Sequence, residues 1–292
     1  MFDFVKTEIY NIALYNDLLK NPLLEFKCLA DVTTGEVHSD WMTARHKNLE
    51  FNIHTKGRIE ITGSLHKYWN AGEHNYNDFT IDNIRETIQH LEHSFNIEPN
   101  TARLSNLEYG VNIMTPFDPN DFLKSLICYK FQSFNKMNIK GGFGNDCSLT
   151  QYRIKIYNKG LQFNQSRHIL RFEKSIKKME VLSKKHPVFL IDLIDPELHE
   201  ICRNQLLAAF DDILFNETLN KTILNKPKLK CYNLINNETE RLNLNAKGRC
   251  DYKKKFNELI SQHGKQNFRP LLIDLINEKI DFLKKGNVLT GV

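Results

Sequence analysis

The stretch "YRIKIYNKG", residues 152 to 160, alternates apolar and polar side chains in the manner of a β-strand. One face holds Tyr152, Ile154 and Ile156. The opposite face is polar and places a second tyrosine among three cations: Arg153, Lys155, Tyr157 and Lys159. Strands with one apolar and one polar face belong to antiparallel sheets that cover a core on one side only. The stretch therefore predicts such a sheet, and it raises the question of what a tyrosine does on the polar face.

Segments around this strand have the periodicity of further strands and helices. Residues 48–69 alternate like paired strands around "TKG", and residues 102–114 and 168–178 alternate again. Residues 75–97 have helical spacing, with a cap at Asp78 or Thr80 and one apolar stripe made of Ile81, Ile84, Ile88, Leu91 and Phe95. A helix is expected from about 119 to 131, and "IKGGFGND" is expected to be a flexible link or hairpin loop. These patterns predict an α+β fold, with an antiparallel sheet carrying helices on one face.

Composition limits the class of protein. A chain of 292 residues that is 41% hydrophobic is long enough for a full core. It shows neither a basic leader with a long apolar run nor a window apolar enough to span a membrane, so we expect a soluble, unexported protein with no membrane partner. Its six cysteines form no CxxC pair, which indicates reduced thiols in a cytoplasm.

Positive charge is concentrated in two regions. The formal net charge is only +5, but residues 150–190 contain ten basic and two acidic side chains, and residues 226–269 contain eleven basic and four acidic ones. Clustered lysine and arginine favour contact with a polyanion such as DNA. A solvated basic face with no partner is the alternative.

The polar faces of the predicted strands carry side chains suited to chemistry. In chain order these are Glu60, Asn106, Glu108, Asn112, Arg153, Lys155, Tyr157, Arg171 and Glu173. If the strands share one sheet, they offer acids, cations and one tyrosine to a common surface. Ordinary cross-strand charge pairs on a solvated face are the alternative.

The order of these segments resembles that of a known family. "RIEITGSLHKYWNAGEHN", a helix, "LEYGVNI", "YRIKIYNKGLQF" and "LRFEKSIKKM" look like the gene II replication proteins of filamentous phages and related plasmid and phage replication initiators. In that family a "VEIK"-like strand precedes "GHN", an "RID"-like strand follows, the nucleophilic tyrosine starts a Y-x-K segment, and an "RFE-x-x-I-K" strand comes next. The resemblance covers about residues 50 to 180.

The resemblance implies a rolling-circle replication initiator with an HUH-like endonuclease fold. Such a protein nicks and rejoins single-stranded origin DNA through a 5′-phosphotyrosine link, and the free 3′-OH is extended by a host polymerase with the help of a host helicase. Tyr157 matches the nucleophile and Lys159 the lysine two residues later. Glu108 falls at the "RID" carboxylate, His74 at the "GHN" histidine and Glu60 at the acid of the first strand.

Attack of a tyrosine on a phosphodiester requires side chains of these types. A phenol of pKa about 10 is a weak nucleophile, so it needs nearby cations, here Lys155 and Lys159, or a base. A phosphodiester needs its charge neutralised, commonly by Mg²⁺ or Mn²⁺ on carboxylate and imidazole ligands, and Glu60, Glu108 and His74 are the predicted ligands. The His-hydrophobic-His string that names the HUH enzymes is absent, and His66 competes as a ligand or contacts DNA.

Further residues are assigned supporting roles. Glu173 is expected beside Lys159 as a group that orients it, or alternatively in an exposed pair with Arg171. Tyr152 is expected on the apolar face, outside the reaction. The predicted DNA contacts are Arg153, Lys155, His66, Lys67, Arg171, Lys174 and Lys177.

The chain is expected to divide into a nicking domain at residues 1–190 and a smaller, mainly helical region at residues 191–292. Residues 187–215 read as two helical segments broken at Pro196, and a short extended region and two terminal helices follow. The basic run from Lys247 to Lys255 can dock on duplex origin DNA, although solvated lysines on packed helices explain it equally well. A non-catalytic origin-binding protein or repressor with the same fold is the second functional reading.

Overall fold

The computed structural model describes residues 1–37, 40–139 and 142–286. Within these residues the chain forms twelve β-strands. They are β1 Phe2–Tyr10, β2 Trp41–His46, β3 Leu49–His54, β4 Arg58–Ser64, β5 Arg103–Met114, β6 Leu126–Tyr129, β7 Gln132–Ser133, β8 Asn135–Ile139, β9 Gly142–Ser148, β10 Tyr152–Asn158, β11 Ile169–Ile176 and β12 Ile213–Phe215.

The same residues form ten α-helices and three short 3₁₀ turns. The helices are α1 Ile12–Leu19, α2 Leu65–Trp69, α3 Ile81–Phe95, α4 Pro119–Ser125, α5 Lys159–Gln162, α6 Pro196–Asp211, α7 Lys226–Asn236, α8 Glu238–Leu242, α9 Ala246–His263 and α10 Phe268–Lys285. None of the described helices combines the length and apolarity needed to cross a bilayer. All six cysteines lie in the described ranges, and none is in a disulfide.

Nine strands make one antiparallel sheet, in the order β2-β3-β4-β1-β5-β11-β10-β9-β8. Strands β12, β6 and β7 make a second, three-stranded sheet. Every pairing in both sheets is antiparallel. The predicted α+β class is confirmed, and the polar-faced segments predicted to be strands do share one sheet.

The main core lies between the apolar face of the large sheet and the long helices. Phe51 packs on Phe95 of α3, with ring centroids 4.8 Å apart, and Phe172 packs on Phe210 of α6 at 5.7 Å. Leu272, Ile276 and Ile280 bury one stripe of α10 in the same core, and α10 packs on β5. The apolar stripe predicted for residues 75–97 is the buried face of α3, which Thr80 caps. Burial of alternate strand residues on this side leaves the other face of the sheet to polar groups.

Two local expectations differ from the structure. The helix expected to run to about 131 ends at Ser125, because residues 126–129 pair as β6 with β12 and β7. Lys130 and Phe131 turn the β6–β7 hairpin with positive φ angles of 49° and 67°. The extended region expected near residue 226 is helix α7. The segment "IKGGFGND" is expected to be a flexible link or a hairpin loop, and Ile139 at the end of β8 pairs antiparallel with Gly142 at the start of β9, as in a hairpin. Residues 140 and 141 between them lie outside the described residues.

A second, smaller core forms where α7, α8 and α9 meet the three-stranded sheet. It contains eleven buried residues, which are Cys128, Phe131, Leu214, Leu224, Cys231, Tyr232, Leu234, Ile235, Phe256, Leu259 and Ile260. Residues from both sides of position 190 build it, whereas α6 and α10 pack on the main core. The domain boundary at residue 190 stays a prediction.

Candidate active site

The register of three central strands brings the predicted polar residues together. Tyr157 of β10 lies opposite Arg171 of β11, and Lys155 lies opposite Glu173. On the other side of β11, Arg171 faces Asn112 of β5. Because side chains at paired positions share a face, tyrosine, cations and carboxylates form one cluster.

Tyr157 lies at the buried centre of this cluster and is 6% exposed. Its Oη donates a hydrogen bond to Glu173 Oε2 at 3.4 Å, and Lys159 Nζ donates to the same Oη at 3.4 Å. Burial, followed by the negative charge of Glu173, raises the pKa of the phenol well above 10. In this arrangement burial and the charge of Glu173 favour the neutral phenol, and Lys155 pairs with Glu108 and Glu173, so activation of Tyr157 by cations or by a base stays a prediction.

Glu173 is the hub of the ion pairs, and it is 1% exposed. Its Oε1 lies 2.6 Å from Lys155 Nζ, and its Oε2 lies 2.6 Å from Arg171 Nε. Burial by itself would raise the pKa of Glu173, but Lys155 and then Arg171 lower it to about 2. Glu173 is therefore ionised, and its ion pair with Lys155 links β11 to β10, while its ion pair with Arg171 lies within β11.

Arg171 links this hub to the first strand. Its Nη2 lies 3.1 Å from Asp3 Oδ2, and its Nη1 donates to Asn112 Oδ1 at 3.2 Å. Asp3 also accepts hydrogen bonds from Asn75 Nδ2, at 2.6 Å, and from Ser64. The prediction did not include Asp3. It reaches this cluster through a register shift between Phe2 and Val5, which strand alternation does not reveal.

Lys159 stands in the first turn of α5 rather than at the end of the strand, and it is 1% exposed. Its Nζ lies 5.3 Å from the ring centroid of Tyr157 and 4.9 Å from that of Phe163. Burial, followed by the positive charge of Arg171, lowers its pKa to about 7. At neutral pH this amine is therefore divided between its charged and neutral forms.

Two glycines make room for the cluster. A Cβ on Gly144 would lie 2.5 Å from Tyr157 Cβ, and a Cβ on Gly110 would lie 2.5 Å from Glu173 Cβ. Both glycines stand inside strands and lie opposite these residues in the register. A glycine within an alternating strand is the sequence signal that marks such a close approach.

The three predicted metal ligands are not gathered into one site. Glu60 is bound by Lys6 at 2.9 Å and by Arg58 at 2.6 Å, and Glu108 is bound by Lys155 at 2.9 Å. His74 stacks on Tyr76 with ring centroids 4.1 Å apart, and its buried Nδ1 has no hydrogen-bond partner. Across the described residues, no group of three or more histidine, cysteine or acidic side chains is placed to hold a metal ion. In this arrangement the donor set does not fit Mg²⁺ or Mn²⁺.

His66, the competing ligand, is buried in α2. Its Nε2 lies 2.7 Å from Asn77 Oδ1, and its ring stacks on Phe79 at 4.8 Å. Burial lowers its pKa to about 3, so the imidazole is neutral at physiological pH.

The predicted DNA contacts differ in exposure. Three of them are buried, namely His66, Arg171 and Lys174, and Lys174 lies over the ring of Tyr152 at 4.2 Å. Arg153 pairs with Asp146 at 2.8 Å, and Lys155 bridges Glu108 and Glu173. Lys177 is exposed, and Lys67 and Arg153 are half-buried. DNA contacts by this set stay a prediction, and the buried members would have to become exposed first.

Tyr152 lies on the opposite side of the sheet from Tyr157. Its Oη is 2.9 Å from Tyr129 Oη and accepts a hydrogen bond from Lys130 Nζ at 3.1 Å. The two tyrosines of β10 therefore have separate environments, as the alternation predicts.

No family model and no curated protein matches this chain. Among solved structures it is similar to a rolling circle replication initiator protein from Geobacillus stearothermophilus. The two share 14% sequence identity, over 78% of this chain and 89% of that chain, with a TM-score of 0.39. A likeness of that size does not assign an activity.

Proposed function

We propose that this chain initiates rolling-circle replication by nicking and rejoining single-stranded origin DNA, with Tyr157 as the nucleophile. The observation that supports this most directly is the position of the phenol. Its Oη lies 3.4 Å from both a carboxylate oxygen of Glu173 and the amine of Lys159. Covalent catalysis requires a nucleophile within hydrogen-bonding reach of a base, and here other charged groups surround both.

In the proposed step Tyr157 Oη forms a bond to phosphorus as the bond from phosphorus to the 3′ oxygen breaks. The phenolic proton passes to the neutral amine of Lys159, which then gives that proton to the departing 3′ oxygen, so that the oxygen becomes a free hydroxyl and the amine is neutral again. The reverse sequence rejoins the strand. Lys159 suits this role because a pKa of about 7 leaves much of it neutral at physiological pH.

Glu173 and Arg171 are proposed to position the tyrosine. Glu173 accepts the phenolic hydrogen bond, and Arg171 together with Lys155 keeps that carboxylate ionised and fixed. Lys67 lies near enough for its charge to lower the pKa of Lys159, so it is a candidate for contact with the scissile phosphate.

Access to the phenol requires a local rearrangement, because Tyr157 is 6% exposed. Phe163 lies beside Lys159, and Tyr76 packs on Phe163 with ring centroids 5.3 Å apart. We propose that a single strand displaces these rings and stacks a base on one of them, since aromatic side chains are common platforms for unpaired bases.

Dependence on Mg²⁺ or Mn²⁺ remains a prediction from the family resemblance. The described ligands do not form a metal site, so no step of the proposed reaction is assigned to a metal. Action together with a host helicase and a host polymerase is likewise part of the proposal only.

A non-catalytic origin-binding protein is the second candidate, and one observation favours it. The raised pKa of Tyr157 and its low exposure are those of a structural tyrosine. A binding protein of this kind would keep its affinity for DNA with no need for Tyr157 or Lys159.

A cleavage assay on single-stranded DNA from the replicon's own origin separates these candidates. The strand is labelled at its 5′ or its 3′ end and incubated with the protein and Mg²⁺, Mn²⁺ or EDTA, and the products are run on denaturing gels. Tyr157→Phe tests the nucleophile, and Tyr152→Phe is the matched control, since it removes a hydroxyl from the other face of the same strand.

We expect a cut that leaves the protein covalently attached to the 5′ end of the downstream fragment. The cut should survive in Tyr152→Phe and disappear in Tyr157→Phe. Cleavage by Tyr157→Phe would move the nucleophile elsewhere. Origin binding without any cleavage would support the binding protein. Cleavage in EDTA would remove the metal from the proposal while leaving the tyrosine in it.

A further inference from the structure

The second core joins three helices into a unit with its own architecture. Helices α7 and α9 pack against each other, α8 connects them, and the sheet β12-β6-β7 closes the base. Tyr232 of α7 stacks on Phe256 of α9, with ring centroids 6.2 Å apart.

Helices α8 and α9 are joined by a three-residue turn at residues 243–245. Asn245 caps α9 through its side-chain oxygen, which accepts a hydrogen bond from the backbone of Gly248 at 2.8 Å. Arg241 of α8 is buried and donates to the carbonyl of Ile235 and to Ser133 Oγ, each at 2.7 Å. Two helices joined by a short, fixed turn have the connectivity of a helix-turn-helix.

Helix α9 has one buried and one exposed face. Phe256, Leu259 and Ile260 enter the second core. The exposed stripe repeats at helical spacing and contains Lys247, Cys250, Asp251, Lys254, Glu258 and Ser261. It carries polar groups able to bond to base edges and phosphates, and it contains no aromatic ring. Single-strand sites rely on such rings, so this stripe favours a duplex.

The charges flanking the stripe match a phosphate backbone. Helix α9 has five basic and two acidic side chains, and α7 has three lysines and no acid. Lys228, Lys230 and Lys255 line a groove of about 320 Å³ between the two helices, which Tyr252 and Glu258 also line. Lys253 is held by Asp211 and Asp212, but no ion pair within the described residues involves Lys247, Lys254 or Lys255. Lysines with no acidic partner on an exposed surface are available to neutralise phosphates.

We propose that α7, α8 and α9 form a duplex-DNA-binding module, with α9 in the major groove and the lysines of α7 and α9 on the flanking phosphates. The width of the major groove, about 12 Å, matches the diameter of a helix with its side chains. This module is separate from the Tyr157 cluster, so its binding does not require Tyr157 to be a nucleophile. Together the two sites would let one chain hold duplex origin DNA beside the strand that it cuts.

The test compares duplex and single-stranded DNA bound to the full-length protein. Fluorescence anisotropy is measured in EDTA with a mixed-sequence 30-bp duplex and with one of its strands, from 50 to 300 mM KCl. The test variant carries Lys247→Gln, Lys254→Gln and Lys255→Gln. The control variant carries Lys20→Gln, Lys27→Gln and Lys56→Gln, an equal change of charge at exposed positions far along the chain from α9.

Each phosphate contact contributes about 0.9 to the slope of log affinity against log salt, so the loss of three contacts lowers the slope by about 2.7. We expect that decrease for the duplex in the α9 variant and little change in the control. Equal effects in the two variants, or an equal loss of duplex and single-strand binding in the α9 variant, would overturn the proposal. Thermal melting curves show whether each variant is folded.

Two native thiols test the placement of α9 without any substitution. Cys250 lies on the exposed stripe and Cys28 is exposed elsewhere, while the other four cysteines are buried. Saturating duplex is expected to slow alkylation of Cys250 by iodoacetamide and to leave Cys28 unchanged, as read by mass spectrometry of peptides. Unprotected Cys250 at saturation would place the duplex elsewhere. Failure of the nicking assay alone would leave this outcome untouched, so the two proposals can be distinguished.

Discussion

Glu173→Gln is the substitution whose effect on stability follows most directly from the structure. It keeps the shape of the side chain and removes the charge that faces Lys155 and Arg171, each 2.6 Å away. The pKa of Glu173 is lowered from its usual value of 4.5 to about 2 by these partners, despite burial. A shift of that size corresponds to about 3 kcal/mol of folding free energy. Removal of one member of a buried ion pair typically costs about 3–5 kcal/mol.

We expect a cost near 3 kcal/mol, because both cations keep another partner. Lys155 retains Glu108 at 2.9 Å, and Arg171 retains Asp3 at 3.1 Å. Since the pKa of Glu173 is lower in the folded than in the unfolded chain, its contribution is complete above about pH 4.5 and is lost as the pH falls toward 2. The difference between variant and native protein should therefore shrink to about 1 kcal/mol at pH 3.

Urea unfolding at pH 7 and pH 3 measures this difference. Glu50→Gln is the matched control, because Glu50 also pairs with an arginine at 2.6 Å but lies on an exposed part of the sheet. Its cost should stay below about 1 kcal/mol. A cost for Glu173→Gln no larger than that of the control at pH 7, or one that does not shrink at pH 3, would refute the assignment of Glu173 as the hub.

Three further outcomes follow from the same cluster. Tyr157→Phe should abolish strand cleavage but change the free energy of unfolding by no more than about 1 kcal/mol, because the two hydrogen bonds of the Tyr157 hydroxyl are long, at 3.4 Å. A large destabilisation in urea would show instead that Tyr157 is a structural residue. The rate of single-turnover nicking should rise with pH through about 7, as Lys159 loses its proton, and a rate independent of pH between 6 and 8 would exclude this lysine as the base. Gly144→Ala should lower the free energy of unfolding, measured by heat or urea, by about 1–3 kcal/mol, because the new Cβ would lie 2.5 Å from Tyr157 Cβ. Gly248→Ala, in helix α9, is the control and should leave that free energy unchanged or raise it.

The charges of the cluster explain why the tyrosine is held neutral. Asp3 and Glu173 are both ionised beside Arg171, and burial strengthens the influence of each charge on its neighbours. The cations are therefore already paired, and little positive charge remains for a phenolate.

Sequence periodicity predicted the central strands and the first long helix correctly. Arg103–Met114, predicted as 102–114, and Tyr152–Asn158 are strands, and the stripe from Ile81 to Phe95 is one helix face. Alternation of 2.0 or 3.6 residues reports which side chains are buried, and that information is carried by consecutive residues. The polar face with Tyr157, Arg171 and Glu173 was foreseeable for the same reason.

The wrong predictions of secondary structure arise where a segment pairs with residues far away in the sequence. Residues 126–129 fit a continuing helix locally, but they form a strand because residues 213–215 pair with them. The turn that links α8 and α9 also needs its distant partner, since Arg241 is anchored on the hairpin around Phe131. Such contacts leave no periodic signal in either segment.

By itself, the sequence determined the α+β class, the strands at the centre of the sheet and the residue types on its polar face, because each is set by burial patterns within a few residues. Only the tertiary structure decided the state of those residues. The pKa of a group depends on desolvation and on charges nearby in space, and Asp3, Glu173 and Lys159 meet from three separate elements. For the same reason, the sequence could supply residues of the types that bind metals, Glu60, Glu108 and His74, but it could not show that the fold leaves them apart from one another.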